Sequence, residues 1–139
     1  MRFHQTLCAA ALASVTVLVP ISAVAHEFVD NGKVTPLLSE VLAAMPGKVG
    51  TMLTVEYPPG GKTDKHRHPG AYTFVYVLEG ELEFQVEGKA AAKLTAGQTY
   101  FETPDDVHSV SRNLSETKPA RFLVVFIQEQ GKPPVEPVP

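Results

Sequence analysis

The chain after residue 48 has the hydrophobic pattern of a β-rich domain built from short strands. Between Glu81 and Glu87 the alternation is strict, with Leu82, Phe84 and Val86 on one face and polar side chains on the other. A period of two is typical of a half-buried strand. Further strand-like runs, separated by Gly, Pro or Asp turns, lie at residues 51–57, 72–78, 90–95, 98–102, 107–112 and 122–128, and the run at 72–78 is rich in β-branched and aromatic residues. Seven or eight such strands predict an all-β, jelly-roll barrel with two sheets.

Two local patterns add detail to this prediction. The pair Glu79-Gly80 joins two strand-like runs and predicts a hairpin turn. Residues 35–45 predict one short helix before the barrel, because Thr35 can cap it, Pro36 suits its first position, and apolar residues recur at helical spacing up to Met45. We expect its apolar stripe to pack on the outside of a sheet or against a second subunit.

The first 25 residues predict a secretory signal peptide. Arg2 precedes an apolar run at residues 7–19, Pro20 breaks that run, and Ala23-Val24-Ala25 supplies a small-x-small cleavage pattern before His26. A membrane anchor is the alternative, but the run is shorter than the roughly 20 residues that a spanning helix needs. We therefore expect cleavage after Ala25 and a periplasmic or secreted protein.

Composition limits the chemistry of the mature chain. Removing 25 of the 139 residues leaves 114, and the single cysteine, Cys8, is lost with the signal, so any metal site must use nitrogen and oxygen ligands. Only one charge, Arg2, is removed, which takes the formal net charge from −3 to −4. This balance argues against nucleic acid, and against a membrane surface after signal cleavage, as a partner.

The predicted organisation has four segments and no internal repeat. They are the signal peptide at residues 1–25, an N-terminal extension with the short helix at 26–48, the barrel at 49–128, and a proline-rich tail at 129–139. We expect the tail to be loose or to lie extended on the surface. Small barrels often pair through sheet edges or a swapped N-terminal strand, so we predict a homodimer with residues 35–45 and the tail at its interface.

Three histidines are the strongest candidates for chemistry. In an extended chain alternate side chains share a face, so His66 and His68 point the same way, and His108 follows on a later strand. Converging imidazoles in a barrel interior indicate a divalent metal. The alternative is a pair of exposed loop histidines, since Lys65 and Arg67 make this turn basic.

The spacing of these residues resembles the cupin family. The family's first motif has a glycine, five intervening residues and then His-x-His, as Gly60 and His66 are spaced here, and it ends in a glycine, as at Gly80. The second motif runs from a glycine to a histidine, here Gly97 and His108. Several positions depart from the family pattern: Thr73 for the glutamate, Thr103 for the proline (with Pro104 next to it), Asp105 for the second glycine, and Asn113 one residue late for the asparagine.

The resemblance implies a cupin-type double-stranded β-helix in which His66, His68 and His108 hold one divalent transition metal. The ion would be Fe, Mn, Zn, Ni or Cu. With Thr73 at the glutamate position, the site has three imidazoles and open positions for water or an anion. Glu102 is the candidate replacement carboxylate, although a solvent-facing glutamate at a strand end is the simpler interpretation.

Other features are expected to be structural. Glu81, Glu83 and Glu87 form an outer acidic stripe that suits a solvated sheet face. Aromatic residues at positions 72, 74, 76 and 84 are expected in the core and the pocket wall. His26, as a new N-terminus, has the groups to chelate copper but needs further ligands nearby.

The leading function is an exported metal-binding cupin that binds or transforms a small organic molecule. An enzyme of this kind would be dioxygenase-like, acting on a carbonyl or enol substrate, or lyase-like. The alternatives are a non-catalytic periplasmic sensor of a small ligand or metal, and a metal-free barrel used for assembly. The sequence does not select among them, because one fold hosts many activities.

Overall fold

The computed structural model describes residues 32–139, and in this part of the chain every regular element is a β-strand. In chain order the strands are β1 (Lys33–Val41), β2 (Lys48–Tyr57), β3 (Lys62–Thr63), β4 (His66–Arg67), β5 (Ala71–Glu79), β6 (Glu81–Val86), β7 (Ala92–Thr95), β8 (Thr99–Glu102), β9 (Val107–Asn113), β10 (Ala120–Glu129) and β11 (Glu136–Pro137). Among these residues there is no helix with the length and apolar character needed to span a bilayer. The predicted signal peptide lies outside the described residues.

The strands form two antiparallel sheets, as predicted. The five-stranded sheet has the order β1-β2-β10-β5-β8, and the six-stranded sheet has the order β11-β4-β9-β6-β7 with β3 paired to β9. Strands that are distant in sequence are therefore neighbours, as β2 and β10 are. This is the double-sheet jelly-roll architecture expected from the strand pattern.

The inner faces of the two sheets form one hydrophobic core. In β6, Leu82, Phe84 and Val86 are buried, as their alternation predicted. Glu83 and Gln85 between them lie on the outer face, where Glu83 accepts a hydrogen bond from Arg112 at 2.7 Å. The remaining core residues come from both sheets and are Leu53, Val55, Tyr57, Ala71, Val75, Val77, Leu94, Ala120, Phe122, Val124 and Phe126.

The prediction of a helix at residues 35–45 is wrong. Residues Lys33–Val41 form β1, which pairs with β2 from Lys33 opposite Glu56 to Val41 opposite Val49. A helix of this length is marginal on its own, whereas Lys33–Val41 gains a ladder of hydrogen bonds and tertiary contacts along the open edge of β2. Pro36 is tolerated because β1 is an edge strand, with a shift of register between Pro36 and Leu38.

The predicted hairpin at Glu79-Gly80 is also wrong, because β5 and β6 belong to different sheets. Gly80 is the corner where the chain passes from one sheet to the other. Its φ of +83° suits glycine, and a side chain there would meet Ala120, with a Cβ placed 2.7 Å from the Ala120 Cβ. Gly80 packs closely against Ala120 at this corner, and β5 and β6 continue into different sheets on either side of it.

The aromatic residues of β5 lie on the opposite side from the one predicted. Tyr72, Phe74 and Tyr76 are exposed on the outer face, while Thr73 and Val75 between them point inward. Phe84 is in the core as expected. Both faces of β5 are apolar, so the periodicity alone did not indicate which set faces the interior.

The C-terminal tail packs against its own barrel. Pro134 is buried, and β11 pairs with β4 so that Glu136 lies opposite Arg67 and Pro137 opposite His66. Arg67 forms an ion pair with Glu136, and Lys65 donates a hydrogen bond to the Pro139 carbonyl at 3.1 Å. The tail is thus an ordered part of the six-stranded sheet and closes one side of the barrel.

We expect Gly80→Ala to destabilise the fold far more than Gly88→Ala. Both glycines have positive φ, so alanine costs about 1–2 kcal/mol at either position. At Gly80 the clash with Ala120 adds about 1–3 kcal/mol, whereas nothing lies within 4 Å of a Cβ at Gly88. Urea denaturation of both variants measures the two losses, and equal losses would contradict this account of the corner.

Candidate metal centre

The three predicted histidines meet inside the barrel. His66 on β4 lies directly opposite His108 on β9, and His68 follows β4 immediately. The His66 ring centroid is 4.9 Å from that of His68 and 5.0 Å from that of His108. One ligand nitrogen from each residue lies within 4.8 Å of the other two, a spacing that one ion can bridge with small side-chain rotations.

Backbone carbonyls orient two of the imidazoles. His66 Nδ1 donates to the Asp64 carbonyl at 2.6 Å, and His68 Nδ1 donates to the Pro134 carbonyl at 2.6 Å. Because a carbonyl only accepts, each Nδ1 must carry the proton, which leaves Nε2 with its lone pair free. This is the tautomer and the supporting contact that metal-binding histidines require.

Burial keeps these rings neutral. Burial, with help from the neighbouring His68 and His108, lowers the pKa of His66 to about 3. Burial also lowers the pKa of His68, against the opposing effects of Glu102 and the Pro134 carbonyl. At neutral pH both imidazoles are therefore unprotonated, which is the form that binds a metal.

A carboxylate from the opposite sheet completes the cluster. Glu102 on β8 is 1% exposed, so its interpretation as a solvent-facing residue is wrong. Its Oε1 lies 3.2 Å from His108 Nδ1 and its Oε2 lies 3.8 Å from His68 Nε2. Burial raises the pKa of Glu102, but its contacts with the histidines outweigh burial and hold this pKa below its usual range.

The cluster opens onto a small cavity of about 60 Å³. Apolar side chains form most of its wall, and the C-terminal tail contributes Pro134 and Val135. The Tyr57 hydroxyl lies at the wall, hydrogen-bonded to Thr63 and, at 2.7 Å, to Ser111, and burial raises the pKa of Tyr57 to about 12. Three hydroxyl protons serve two mutual contacts, so one O–H is not used within this cluster.

The residues present fit a metal cation. Both Glu102 oxygens, His108 Nε2 and the Thr73 hydroxyl are buried and have no hydrogen-bond partner among the described residues. Such groups are costly unless something in the site satisfies them. A cation would satisfy the imidazole nitrogens and offset the buried carboxylate together.

Sequence reasoning found the histidines but missed their supports. The convergence of the three imidazoles is confirmed, and metal binding by them stays a prediction.

The supporting residues differ in how far the sequence could indicate them. The Pro134 carbonyl has no sequence signal, because every residue has a carbonyl. Tyr57 and Ser111 could have been found, since Tyr57 continues the inward alternation of Leu53 and Val55. Asn113 is structural: its amide donates to the carbonyls of Pro58 and Lys118.

Comparison with known proteins agrees with this geometry. Residues 53–126, more than half of the chain, match the family model of the cupin domain. Over 84 residues the chain is 32% identical to an oxalate-binding protein from Thermotoga maritima, covering 60% of this chain and 67% of that protein. Over 79 residues it is 30% identical to germin-like protein subfamily 2 member 4 from Arabidopsis thaliana, covering 55% of this chain and 36% of that protein.

The solved structures lead to the same fold. A cupin-like protein from Thermotoga maritima matches with a TM-score of 0.61 at 23% identity, covering 81% of this chain and 80% of that one. At this identity the likeness shows the fold alone. The chain spans only about a third of the germin-like protein, so that protein's activity does not transfer with the alignment.

We expect removal of the tail to weaken metal binding. Deleting residues 133–139 removes the carbonyl that orients His68, and losing such a supporting contact typically costs about 10–100-fold in metal affinity. Arg67→Ala is the control, because it breaks only the exposed ion pair with Glu136, worth about 0–1 kcal/mol. Calorimetric titration with Mn²⁺, on proteins whose circular dichroism is unchanged, measures both affinities. Full-length affinity in the truncated protein would contradict the role of the tail.

Proposed function

This chain belongs to the cupin family, and from that premise we propose that it is an exported protein that binds a small organic anion at a metal centre. His66, His68 and His108 hold one divalent transition metal, which is iron, manganese, zinc, nickel or copper. The observation that carries the proposal is the approach of three buried ligand nitrogens to within 4.8 Å. When bound, such an ion supplies a Lewis acid with positions open to an oxygen ligand.

The cavity supports a compact ligand that carries oxygen atoms. At about 60 Å³ the cavity is small, so long chains and large rings do not fit. The spare O–H of the hydroxyl cluster at Tyr57, Thr63 and Ser111 can donate to an acceptor on the ligand. A related protein is named for binding oxalate, which supports a short carboxylate and makes oxalate the natural probe.

Proton chemistry from the protein is limited. Besides the three histidines, the titratable side chains in the cavity lining are Glu102 and Tyr57. Tyr57, with a pKa of about 12, is a poor proton donor at neutral pH. This scarcity favours a binding or sensing module. The alternative is an enzyme of dioxygenase-like or lyase-like type, acting on a carbonyl or enol substrate.

Export rests on the first 25 residues. The apolar run after Arg2 and the small-x-small pattern ending at Ala25 support a cleaved signal and a periplasmic or secreted mature chain. Mass determination of protein recovered from the periplasm of an expressing bacterium tests this part separately, since cleavage leaves His26 as the first residue.

We expect oxalate to stabilise the protein only when the metal is present. Oxalate at about 100 times its dissociation constant adds about 2.7 kcal/mol to the free energy of unfolding, which raises the melting temperature by about 10 °C. His108→Ala should abolish both metal loading and this rise. Lys93→Ala is the control, because it removes an exposed side chain of β7 that does not line the cavity. Thermal unfolding with and without Mn²⁺ and oxalate makes the measurement.

The same samples separate binding from turnover. Stabilisation without oxygen consumption and without new carbon signals by NMR supports the binding module, whereas product formed only by the metal-loaded protein supports the enzyme. Wild-type protein that takes up less than about a tenth of an equivalent of every metal tried, even after reconstitution, would refute the metal site itself.

A further inference from the structure

We propose that Glu102 is the fourth ligand of the metal centre, so that the carboxylate missing at Thr73 is supplied from the neighbouring strand. This inference rests on the proposed function, because it assumes that the three histidines hold an ion. It adds the identity of the fourth ligand and the net charge of the site.

The pairing of β5 with β8 allows a carboxylate at Glu102 to take the place of one at Thr73. Thr73 on β5 lies directly opposite Glu102 on β8, and both side chains point into the barrel. Cβ atoms of directly opposed residues are about 4.5–5.5 Å apart, so a carboxylate at one position reaches nearly the same space as a carboxylate at the other. The longer side chain of Glu102 brings its oxygens to within 3.8 Å of both His68 and His108.

The contacts of Glu102 differ from those of an ordinary buried structural carboxylate. A buried structural carboxylate normally accepts several hydrogen bonds, whereas neither Glu102 oxygen accepts one among the described residues. Thr73, at 0% exposure, likewise has a hydroxyl without a partner there. Two polar side chains without hydrogen-bond partners face three imidazoles, and this arrangement indicates a cation bound between them.

A simple ion pair is the competing explanation for Glu102. In that case the contact of 3.2 Å between Glu102 Oε1 and His108 Nδ1 would be the whole role of the carboxylate. The two explanations differ in the metal-free protein. If Glu102 is an ion-pair partner, it stabilises the metal-free protein. If it is a metal ligand, it destabilises the metal-free protein, because its charge is then buried without a cation.

Glu102→Gln distinguishes them. We expect this variant to bind Mn²⁺ at least ten-fold more weakly than the wild type, while its melting temperature in EDTA is equal or higher. Glu81→Gln is the matched control, because it makes the same chemical change on the exposed outer face of β6. Wild-type Mn²⁺ affinity in Glu102→Gln, or a lowered melting temperature in EDTA with unchanged Mn²⁺ affinity, would overturn the inference.

The exchange of the two residues is a stricter test. The double variant Thr73→Glu/Glu102→Thr moves the carboxylate back across the β5–β8 pair, and we expect it to recover Mn²⁺ affinity relative to Glu102→Gln. A folded double variant that binds no better than Glu102→Gln overturns the inference. Failure of the proposed function looks different, since the wild type itself would then bind no metal.

A second inference comes from the outer surface of the five-stranded sheet, which we propose is the interface with a second copy of this chain. One apolar row crosses all five strands, each residue opposite the next: Leu38, Met52, Val125, Phe74 and Phe101. Phe74 and Phe101 are 44% and 48% exposed, and their rings lie 5.1 Å apart. An outer sheet face normally carries polar residues.

The surroundings of this row indicate a protein partner. We call the surface formed by β1, β2, β10, β5 and β8 on this side the aromatic face. Tyr72 and Tyr76 flank Phe74 on it, and a charged row borders one end, where Arg121 lies opposite both Glu56 and Glu79. An apolar centre with a charged rim carrying both signs is the usual anatomy of a protein interface.

The size of the aromatic face suits a symmetric pair. Five strands at about 4.8 Å spacing and six residues of rise along β10 give about 500 Å² per copy. Two copies would bury about 1,000 Å², the lower limit for a specific interface. A face that is apolar and free of charge at its centre is complementary to itself, as a two-fold axis requires. This places the predicted dimer on the sheet face, and not on a helix or the tail.

We expect the wild type to be a dimer and Phe74→Glu to be a monomer by light scattering at about 100 µM. Phe74 is exposed within its own chain, so the charge does not threaten folding. Thr95→Glu is the control, because it adds the same charge on the exposed outer side of the other sheet. A monomeric wild type, or a Phe74→Glu variant that stays dimeric, overturns the proposal. A monomeric wild type that instead sediments with lipid vesicles assigns the face to a membrane, which also overturns it.

Discussion

The burial of one carboxylate beside three imidazoles is the constraint on which the rest of the structure depends. Glu102 and the three histidines are all less than a tenth exposed, in a cavity whose walls are mainly apolar. Groups of this kind are stable inside a protein only when each has a partner of suitable charge. Burial lowers the pKa of His66 and His68 and so keeps both rings neutral, and the histidines hold the pKa of Glu102 low, so the site as a whole favours a cation.

The two sheets share the construction of this site. The six-stranded sheet carries His66 and His108 on neighbouring strands, and the five-stranded sheet brings Glu102 from the other side. The tail then supplies the Pro134 carbonyl, which fixes the proton of His68. Packing between the sheets therefore sets the geometry of the ligands. A change in the tail would affect the orientation of His68 through its hydrogen bond to the Pro134 carbonyl.

The same alternation that builds the site also leaves an apolar surface outside. On β5 the inward positions are small, with Ala71, Thr73 and Val75, and leave room for the cavity. The large aromatic residues occupy the outward positions. Strand β5 therefore has two roles, as one wall of the cavity and as the centre of the aromatic face. A change of register by one residue would exchange the two faces and abolish both.

The sequence by itself determined the strands, the two-sheet class and the three histidines, because a period of two and the His-x-His spacing are local properties. It did not determine where strands pair. Residues 35–45 carry a helical pattern, yet Lys33–Val41 forms an edge strand, because the ladder with β2 adds tertiary contacts that an isolated helix of this length lacks. Glu79-Gly80 has the sequence of a hairpin turn yet joins two sheets. Glu102 was indistinguishable from a surface glutamate until β8 lay beside β5, because only pairing between distant strands sets which side chains share an interior.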